Sequence, residues 1–183
     1  MRKWALILTI LALGIGSGFS AQTRKRDLTS VHDRLIREVR HQLLLLPNYS
    51  VFDNLEFKVT EVDTVILTGQ VTRPILKSNA ETAIRSLEGV GKVVNEIEVL
   101  PLSPNDDRIR MAVFRAVFSK PGLDRYAVLA VPSIHIIVKN GNITLVGIVA
   151  TEADKDLAGI AAKGVSGAFE VTNSLGIEKI EKH

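Results

Sequence analysis

The stretch GVGKVVNEIEV, at residues 89–99, decides how this chain of 183 residues is organised, because GAFEVTNSLGI repeats its pattern at residues 167–177. Both stretches run from a glycine and a small apolar residue to a valine and an asparagine, followed by aliphatic residues at alternate positions. Self-similarity at a fixed spacing indicates a repeated structural unit. The sequence therefore predicts two small domains, at residues 29–101 and 104–178.

Each copy predicts the same succession of helices and strands. The first helix of each copy has apolar residues at helical spacing and begins at an expected N-cap, Ser30 or Ser103. A hairpin follows, whose second strands are VILTGQV at 65–71 and ITLVGIV at 143–149. A second helix and a last strand complete each copy. We therefore predict an α+β fold of two tandem α-β-β-α-β domains.

Glycines stand inside the second strand of each predicted hairpin, at Gly69 and Gly147. Because glycine weakens a strand, its presence there indicates a bulge or the close approach of another backbone. We expect the second helix of each copy to cross the sheet at this point, since the absence of a Cβ lets a helix lie closer.

The repeated stretch also predicts how the second helix joins the last strand. Gly89 and Gly167 are expected to end the two helices, because glycine is the usual residue just past a helix C-terminus. Asn95 and Asn173 fall on the apolar face of the last strand. A buried amide needs hydrogen-bond partners, so we expect backbone groups at the helix-to-strand turn to satisfy both side chains.

The first 21 residues belong to neither copy. Two basic residues precede an uncharged run of 18 residues with small residues near its end, which is typical of a secretory signal peptide. The same length is sufficient for a retained membrane anchor, so both interpretations of residues 1–21 stand. Residues 22–28 follow as a basic N-terminal arm.

Charge and composition exclude several classes of protein. The net charge of +3 falls to +1 without residues 1–21, because these carry two of the basic residues. Neither copy shows the clustered basic face of a nucleic-acid-binding protein. The chain contains no cysteine, which excludes disulfide bonds, thiolate metal sites and a lipid-modified N-terminal cysteine.

No constellation of catalytic or metal-binding residues is found in the sequence. The histidines, at positions 32, 41, 135 and 183, are not paired at the spacing of a metal site. The segment GVGKVV at 89–94 lacks the third glycine of a dinucleotide fingerprint and follows a predicted helix rather than a strand. We therefore predict no catalytic residue, no metal ligand and no cofactor, and interpret the protein as a binding module.

The order of elements, together with GVGKVVNEIEV and GAFEVTNSLGI, resembles the BON domain, a family named for osmotically induced periplasmic and nodulation proteins of bacteria. The resemblance extends over nearly all of residues 29–178 and departs mainly where the longer segment DRYAVLAVPSI precedes the second hairpin. It implies a three-stranded mixed sheet with two helices on one face in each copy. It also implies an exported envelope protein of the periplasm, associated with osmotic stress, phospholipid binding or protein quality control.

Three segments are candidates for contact with an anionic phospholipid surface or an envelope protein. The basic arm offers charge, HQLLLLP at 41–47 has more leucines than a core requires, and YAVLAVP at 126–132 is apolar and uncharged. A solvated tail and ordinary core packing are the alternatives for these segments. A chaperone-like interactor and a subunit of a larger envelope assembly are the alternative functions, and no oligomeric state is predicted. The candidate contact residues are Arg24, Lys25, Arg26, Leu44, Leu45, Tyr126 and Val128.

Overall fold

The computed structural model describes residues 19–60, 63–129 and 131–178, with side chains from residue 31 onward. Most of the predicted signal peptide or anchor, at residues 1–18, lies outside these ranges. Within them, no helix combines the length and the apolar character needed to cross a membrane.

The first unit is built from two helices on one side of a mixed sheet. Strand β2 lies at the centre, antiparallel to β1 and parallel to β3 and β4. Strands β3 and β4 keep the same register against β2, so they are one predicted strand with a short interruption. The elements are α1 (Phe19–Leu44), β1 (Asn54–Val59), β2 (Thr64–Val71), α2 (Pro74–Arg85), β3 (Lys92–Asn95) and β4 (Glu98–Val99).

The second unit repeats this arrangement with an unbroken last strand. Strand β6 is antiparallel to β5 and parallel to β7 along eight residue pairs. A short 3-10 helix at Asp124–Ala127 occupies the longer segment before the hairpin. The other elements are α3 (Pro104–Phe118), β5 (Ile134–Lys139), β6 (Asn142–Val149), α4 (Glu152–Lys163) and β7 (Glu170–Ile177).

Each unit has its own hydrophobic core, formed by the buried faces of both helices and alternate residues of the strands. Val65, Leu67 and Val71 of β2 pack beneath α1 and α2, whereas Ile143 and Leu145 of β6 pack beneath α3 and α4. This arrangement confirms the predicted α+β fold of two α-β-β-α-β units with the helices of each unit on one face.

Helix α1 is longer than predicted. It begins at Phe19 and passes through Ser30, so Ser30 is not an N-cap and the backbone of residues 22–28 is helical. The candidate residues Arg24, Lys25 and Arg26 lie within this helix. The reason is that neither glycine nor proline interrupts the chain between Gly18 and Pro47, so nothing in the sequence stops a helix from extending toward its N-terminus.

The predicted ends of the second helices are also wrong. Helices α2 and α4 end at Arg85 and Lys163, four residues before Gly89 and Gly167. Both glycines have positive φ angles, 89° and 92°, in the turns that lead into the last strands. Their conformational freedom serves the turn rather than the helix terminus.

Gly69 and Gly147 are packed against a neighbouring strand and not against a helix, which corrects the expected reason for them. A Cβ on Gly69 would lie 2.1 Å from the carbonyl oxygen of Asn54, and one on Gly147 would lie 2.0 Å from that of Ser133. Their φ angles are 108° and 122°, which L side chains rarely adopt. The glycines therefore allow the antiparallel hairpin partner to approach closely.

The helix-to-strand contact is made instead by the paired asparagines. The amide nitrogen of Asn95 donates to the carbonyl of Lys77 at 2.9 Å, and that of Asn173 donates to the carbonyl of Lys155 at 2.8 Å. Backbone thus satisfies both amides, but within the second helix rather than at the turn. In the second unit Gly159 makes room for this contact, since a Cβ there would lie 2.7 Å from the Asn173 nitrogen.

Candidate functional site

The two units meet at the segment between α1 and β1, which we call the connecting loop (residues 45–53). Val51 places its side chain in the core of the second unit, where it is 8% exposed. The N–H of Ile136 in β5 donates to the carbonyl of Val51 at 2.7 Å. The ring of Tyr49 stacks on His135, with centroids 5.6 Å apart. The connecting loop therefore belongs to the packing of both units.

A buried carboxylate fixes the connecting loop to the end of β2. One oxygen of Asp53 accepts from the N–H and the hydroxyl of Thr72, at 2.7 and 2.8 Å. The other oxygen accepts from the N–H and the hydroxyl of Ser50, at 3.1 and 2.6 Å. Because the Asp53 side chain is fully buried, these four hydrogen bonds compensate for its lost hydration.

A groove of about 990 Å³ lies between the two units. All six residues of β1, from both of its faces, line one side. Successive side chains of a strand point to opposite faces, so the groove follows the edge of β1. On the other side it is lined by Val146, Ile148 and Ser174. These residues alternate with the buried Leu145, Val149 and Leu175, so they lie on the face of the second sheet that its helices leave open.

Helix α1 forms a third wall of the groove. Ile36, Arg40 and Leu44 line it at intervals of four residues, which places them on one face of the helix. Lys58 adds a second cation, whereas the carboxylate of Glu56 already accepts a hydrogen bond from a neighbouring asparagine amide at 2.8 Å. The groove is thus mainly apolar and carries two basic side chains.

The aromatic pair at the junction of the units is held in its neutral form. Burial lowers the pKa of His135 below its ordinary value, against smaller opposing contributions from the backbone of Asp53 and Ser50. Burial raises the pKa of Tyr49 to about 12. Both shifts have the same cause, since a charged ring would lose its hydration between the two units.

The structure brings two of the predicted contact segments together. Leu44 and Val131 both line the groove, although 87 positions separate them in the chain. Leu45 and Val128 belong to the same two segments and are 62% and 83% exposed. These side chains remain candidates for contact with a partner.

Tyr126 is not a contact residue, contrary to the prediction. Its side chain belongs to the core of the second unit and is 9% exposed. Its hydroxyl donates to a carboxylate oxygen of Asp154 at 2.9 Å and accepts from the N–H of Ala150 at 2.8 Å. A hydrogen bond from the hydroxyl of Thr151 is the main cause that lowers the pKa of Asp154. The ring is buried because its hydroxyl finds these partners at the start of α4.

Sequence reasoning missed two buried aspartates that organise the turns. Besides Asp53, the carboxylate of Asp106 accepts from the N–H groups of Asn140 and Gly141, at 2.9 and 2.8 Å. Three residues after Ser103, in the first turn of α3, the position of Asp106 predicts only a favourable interaction with the helix dipole. The signal in the sequence for this contact is the Asn140-Gly141 hairpin turn, whose backbone N–H groups need an acceptor.

The described residues contain no cluster of histidine, aspartate and glutamate side chains able to hold a metal ion. Three carboxylates accept several hydrogen bonds each, and all of these come from the protein itself. Asp53 and Asp106 accept from backbone and hydroxyl groups, and Asp154 also pairs with the guanidinium of Arg125 at 2.6 Å. What the geometry offers is a surface for binding: an apolar groove, a strand edge along it and basic side chains at its wall.

The BON domain family model matches residues 33–101 and 105–179. The chain therefore belongs to the BON domain family and contains two tandem copies of the domain. Members of this family are non-enzymatic, envelope-associated modules that bind membranes or proteins and are typically periplasmic. No curated protein sequence matches the chain.

Two solved structures from the type III secretion system of Chlamydia trachomatis are similar in part. A structure of CdsD, described as a structural protein of that system, has 13% sequence identity and a TM-score of 0.33, over 81% of this chain and 94% of that one. The C-terminal domain of CdsD has 13% identity and a TM-score of 0.28, over 79% of this chain and 98% of that one.

Proposed function

We propose that the protein is an exported envelope module that binds the surface of a phospholipid membrane without catalysing a reaction. The observation that supports this proposal best is the proximity of Leu44 and Val131 at one groove, with Arg40 and Lys58 beside them. Exposed apolar side chains flanked by cations are the combination that membrane-surface proteins use. In this family such a surface fits the periplasmic face of an envelope membrane.

Neither the basic residues nor the exposed apolar residues give useful affinity for a membrane surface on their own. The three basic residues at 24–26 contribute about 1 kcal/mol each near an anionic surface, which corresponds to a dissociation constant only in the millimolar range. Val128, Leu129 and Leu45 are 83%, 60% and 62% exposed. If each is half transferred from water, they add about 1 kcal/mol apiece. The sum of about 6 kcal/mol gives a dissociation constant of roughly 0.05 mM.

Co-sedimentation of residues 22–183 with vesicles tests this proposal. We expect binding to phosphatidylglycerol vesicles that exceeds binding to phosphatidylcholine vesicles and weakens with salt, because exposed charges are screened beyond about 8 Å at physiological ionic strength. The double variant Val128→Ser and Leu129→Ser should lose most of the binding, as should replacement of Arg24, Lys25 and Arg26 by serine. Ile160→Ser, which changes an exposed apolar residue of α4 outside the groove, is the matched control and should bind normally.

Other outcomes would favour the other functions. Equal binding to both kinds of vesicle, or none, together with suppression of aggregation of an unfolded client, would support a chaperone-like interactor instead. Concentration-dependent light scattering of the protein alone would support a subunit of a larger assembly. If the variant with serine at positions 24–26 still binds vesicles, and salt does not weaken this binding, the three basic residues do not contribute. The exposed apolar residues would then be the contact.

A further inference from the structure

The outer edges of the first strands, β1 and β5, differ in how far the rest of the chain covers them. In the second unit the chain itself covers the edge of β5. The N–H of Ile136 donates to the carbonyl of Val51 at 2.7 Å, and the carbonyl of Val138 accepts from the guanidinium of Arg110 at 2.6 Å. Protection of edge groups in this way prevents unwanted strand pairing. Among the residues that the structure describes, the corresponding edge of the first unit, on β1, is covered only at Leu55.

The pattern of hydrogen bonds between β1 and β2 shows which backbone N–H and C=O groups of β1 point away from β2. The N–H of Thr60 donates to the carbonyl of Thr64 at 2.9 Å, and the strand register continues that pairing. Hydrogen-bonded pairs alternate in an antiparallel ladder, so Leu55, Phe57 and Val59 direct their backbone groups away from β2. The N–H of Leu55 donates to the Tyr49 hydroxyl at 3.4 Å. For Phe57 and Val59, the described residues provide no partner.

The open edge lies along the groove between the units. Residues from both faces of β1 line the groove, so the edge of the strand, rather than one of its faces, is turned toward it. The open face of the second sheet closes the opposite side with Val146 and Ile148. An extended chain lying along the edge of β1 would therefore also contact the open face of the second sheet.

We propose that this groove binds an extended peptide segment of another protein, which adds to β1 as a further strand of the first sheet. Main-chain hydrogen bonds to Phe57 and Val59 would supply the pairing, as in other cases of strand addition. Alternate apolar side chains of the peptide would contact Val146 and Ile148. The groove carries the two cations Arg40 and Lys58 against the single carboxylate of Glu56. Its net charge is therefore positive, and the segment is expected to carry acidic residues at its ends.

The observations favour a peptide over a lipid in the groove itself. An acyl chain offers no donor or acceptor, so it would leave the N–H and C=O groups of Phe57 and Val59 unpaired in an apolar space, which costs free energy. The proposed membrane contact shares Leu44, Arg40 and Lys58 with this groove. Its vesicle test relies on Val128 and Leu129, which do not line the groove, so the two proposals can fail separately.

A synthetic peptide tests the inference on the full chain. The probe is acetyl-Glu-Val-Thr-Val-Thr-Val-Glu-amide, and the matched control peptide has the same sequence with N-methyl groups on the valines and threonines. Hydrogen exchange measured by mass spectrometry should show protection of residues 55–59 by the probe and not by its methylated form. Fluorescence anisotropy of the labelled probe should show saturable binding.

Protein variants separate the backbone contact from a general apolar effect. Val59→Pro removes an N–H that faces the groove and leaves the pairing with β2 intact, so it should weaken binding about tenfold. Arg40→Glu should weaken binding severalfold, whereas Arg37→Glu, an exposed residue of α1 outside the groove, should leave it unchanged. If Val59→Pro does not fold, the methylated peptide makes the same test on the wild-type protein.

Three results would overturn the inference. One is equal binding of the methylated and unmethylated peptides. Another is binding of the probe without protection of residues 55–59. The third is protection of residues 55–59 by phosphatidylglycerol vesicles that also displace the probe, which would assign the groove to lipid.

Discussion

Replacing Gly147 by alanine tests the close approach of the two strands of the second hairpin. The added Cβ would lie 2.0 Å from the carbonyl oxygen of Ser133 and 3.0 Å from its carbon. That same oxygen accepts the hydrogen bond from the N–H of Ile148 at 3.0 Å. The strands cannot keep this bond and also accommodate a methyl group, so either β5 moves away or the backbone of residue 147 changes conformation.

Two costs add to the expected loss of stability. A non-glycine residue at a φ of 122° is strained by about 1–3 kcal/mol. Forcing an extra methyl group into a packed contact costs about 1–3 kcal/mol more. We therefore expect Gly147→Ala to reduce the free energy of unfolding by about 2–6 kcal/mol, a large share of the 5–15 kcal/mol typical of a domain.

Urea denaturation followed by circular dichroism measures this loss. Gly69→Ala should behave alike in the first unit, because its Cβ would lie 2.1 Å from the Asn54 oxygen at a φ of 108°. Gly164→Ala is the matched control, since its φ is −75° and the nearest atom would lie at 3.5 Å. A Gly147→Ala midpoint equal to that of Gly164→Ala would refute the argument from strand contact.

Three further predictions follow from other contacts. Burial lowers the pKa of His135 below its ordinary 6.5, so the unfolded chain binds the proton more readily. Stability should therefore fall as the pH drops below about 6.5; urea titrations at several pH values should show a smaller dependence for His135→Gln. Asp106→Ala leaves the N–H groups of Asn140 and Gly141 without their acceptor, and should cost about 2–4 kcal/mol; Asp156→Ala, at an exposed residue of α4, should cost under about 1 kcal/mol. Finally, NMR relaxation should give one rotational correlation time for both units, because the connection at residues 100–105 is short and contains two prolines; two independent times would contradict the packing of Val51.

The fold could be predicted from the sequence because its signals are local and repeated. Each copy carries its own turn residues and apolar periodicity, and Ser103 caps α3 as the pattern indicates, accepting from the N–H of Asp106 at 3.2 Å. The predicted start of α1 was wrong because the same local pattern fits two structures. The pattern Ser30 to Asp33 is compatible with a helix start and with a helix interior, and the absence of a breaker before it decided the outcome.

The groove could not be predicted, because it depends on how one copy lies against the other. The sequence shows Leu44 and Val128 as surplus apolar residues, but nothing local indicates that their segments converge. Tyr126 had the same apolar context as Val128, and only the positions of Asp154 and Ala150 explain why its ring is buried. The open edge of β1 could not be predicted from the sequence either, because it depends on which other segments of the folded chain lie beside that strand.

The position of Val51 has a consequence for the order in which this protein matures. The first unit is complete in the chain at residue 101, yet the partner of its connecting loop, Ile136, follows 35 residues later. At synthesis rates of about 5–20 residues per second, that interval lasts roughly 2–7 seconds. During it, Val51 has no second core to enter and the stacking surface for Tyr49 does not exist. Packing of the connecting loop therefore waits for the second repeat, so a first unit without the second leaves the Val51 side chain and one face of the Tyr49 ring uncovered.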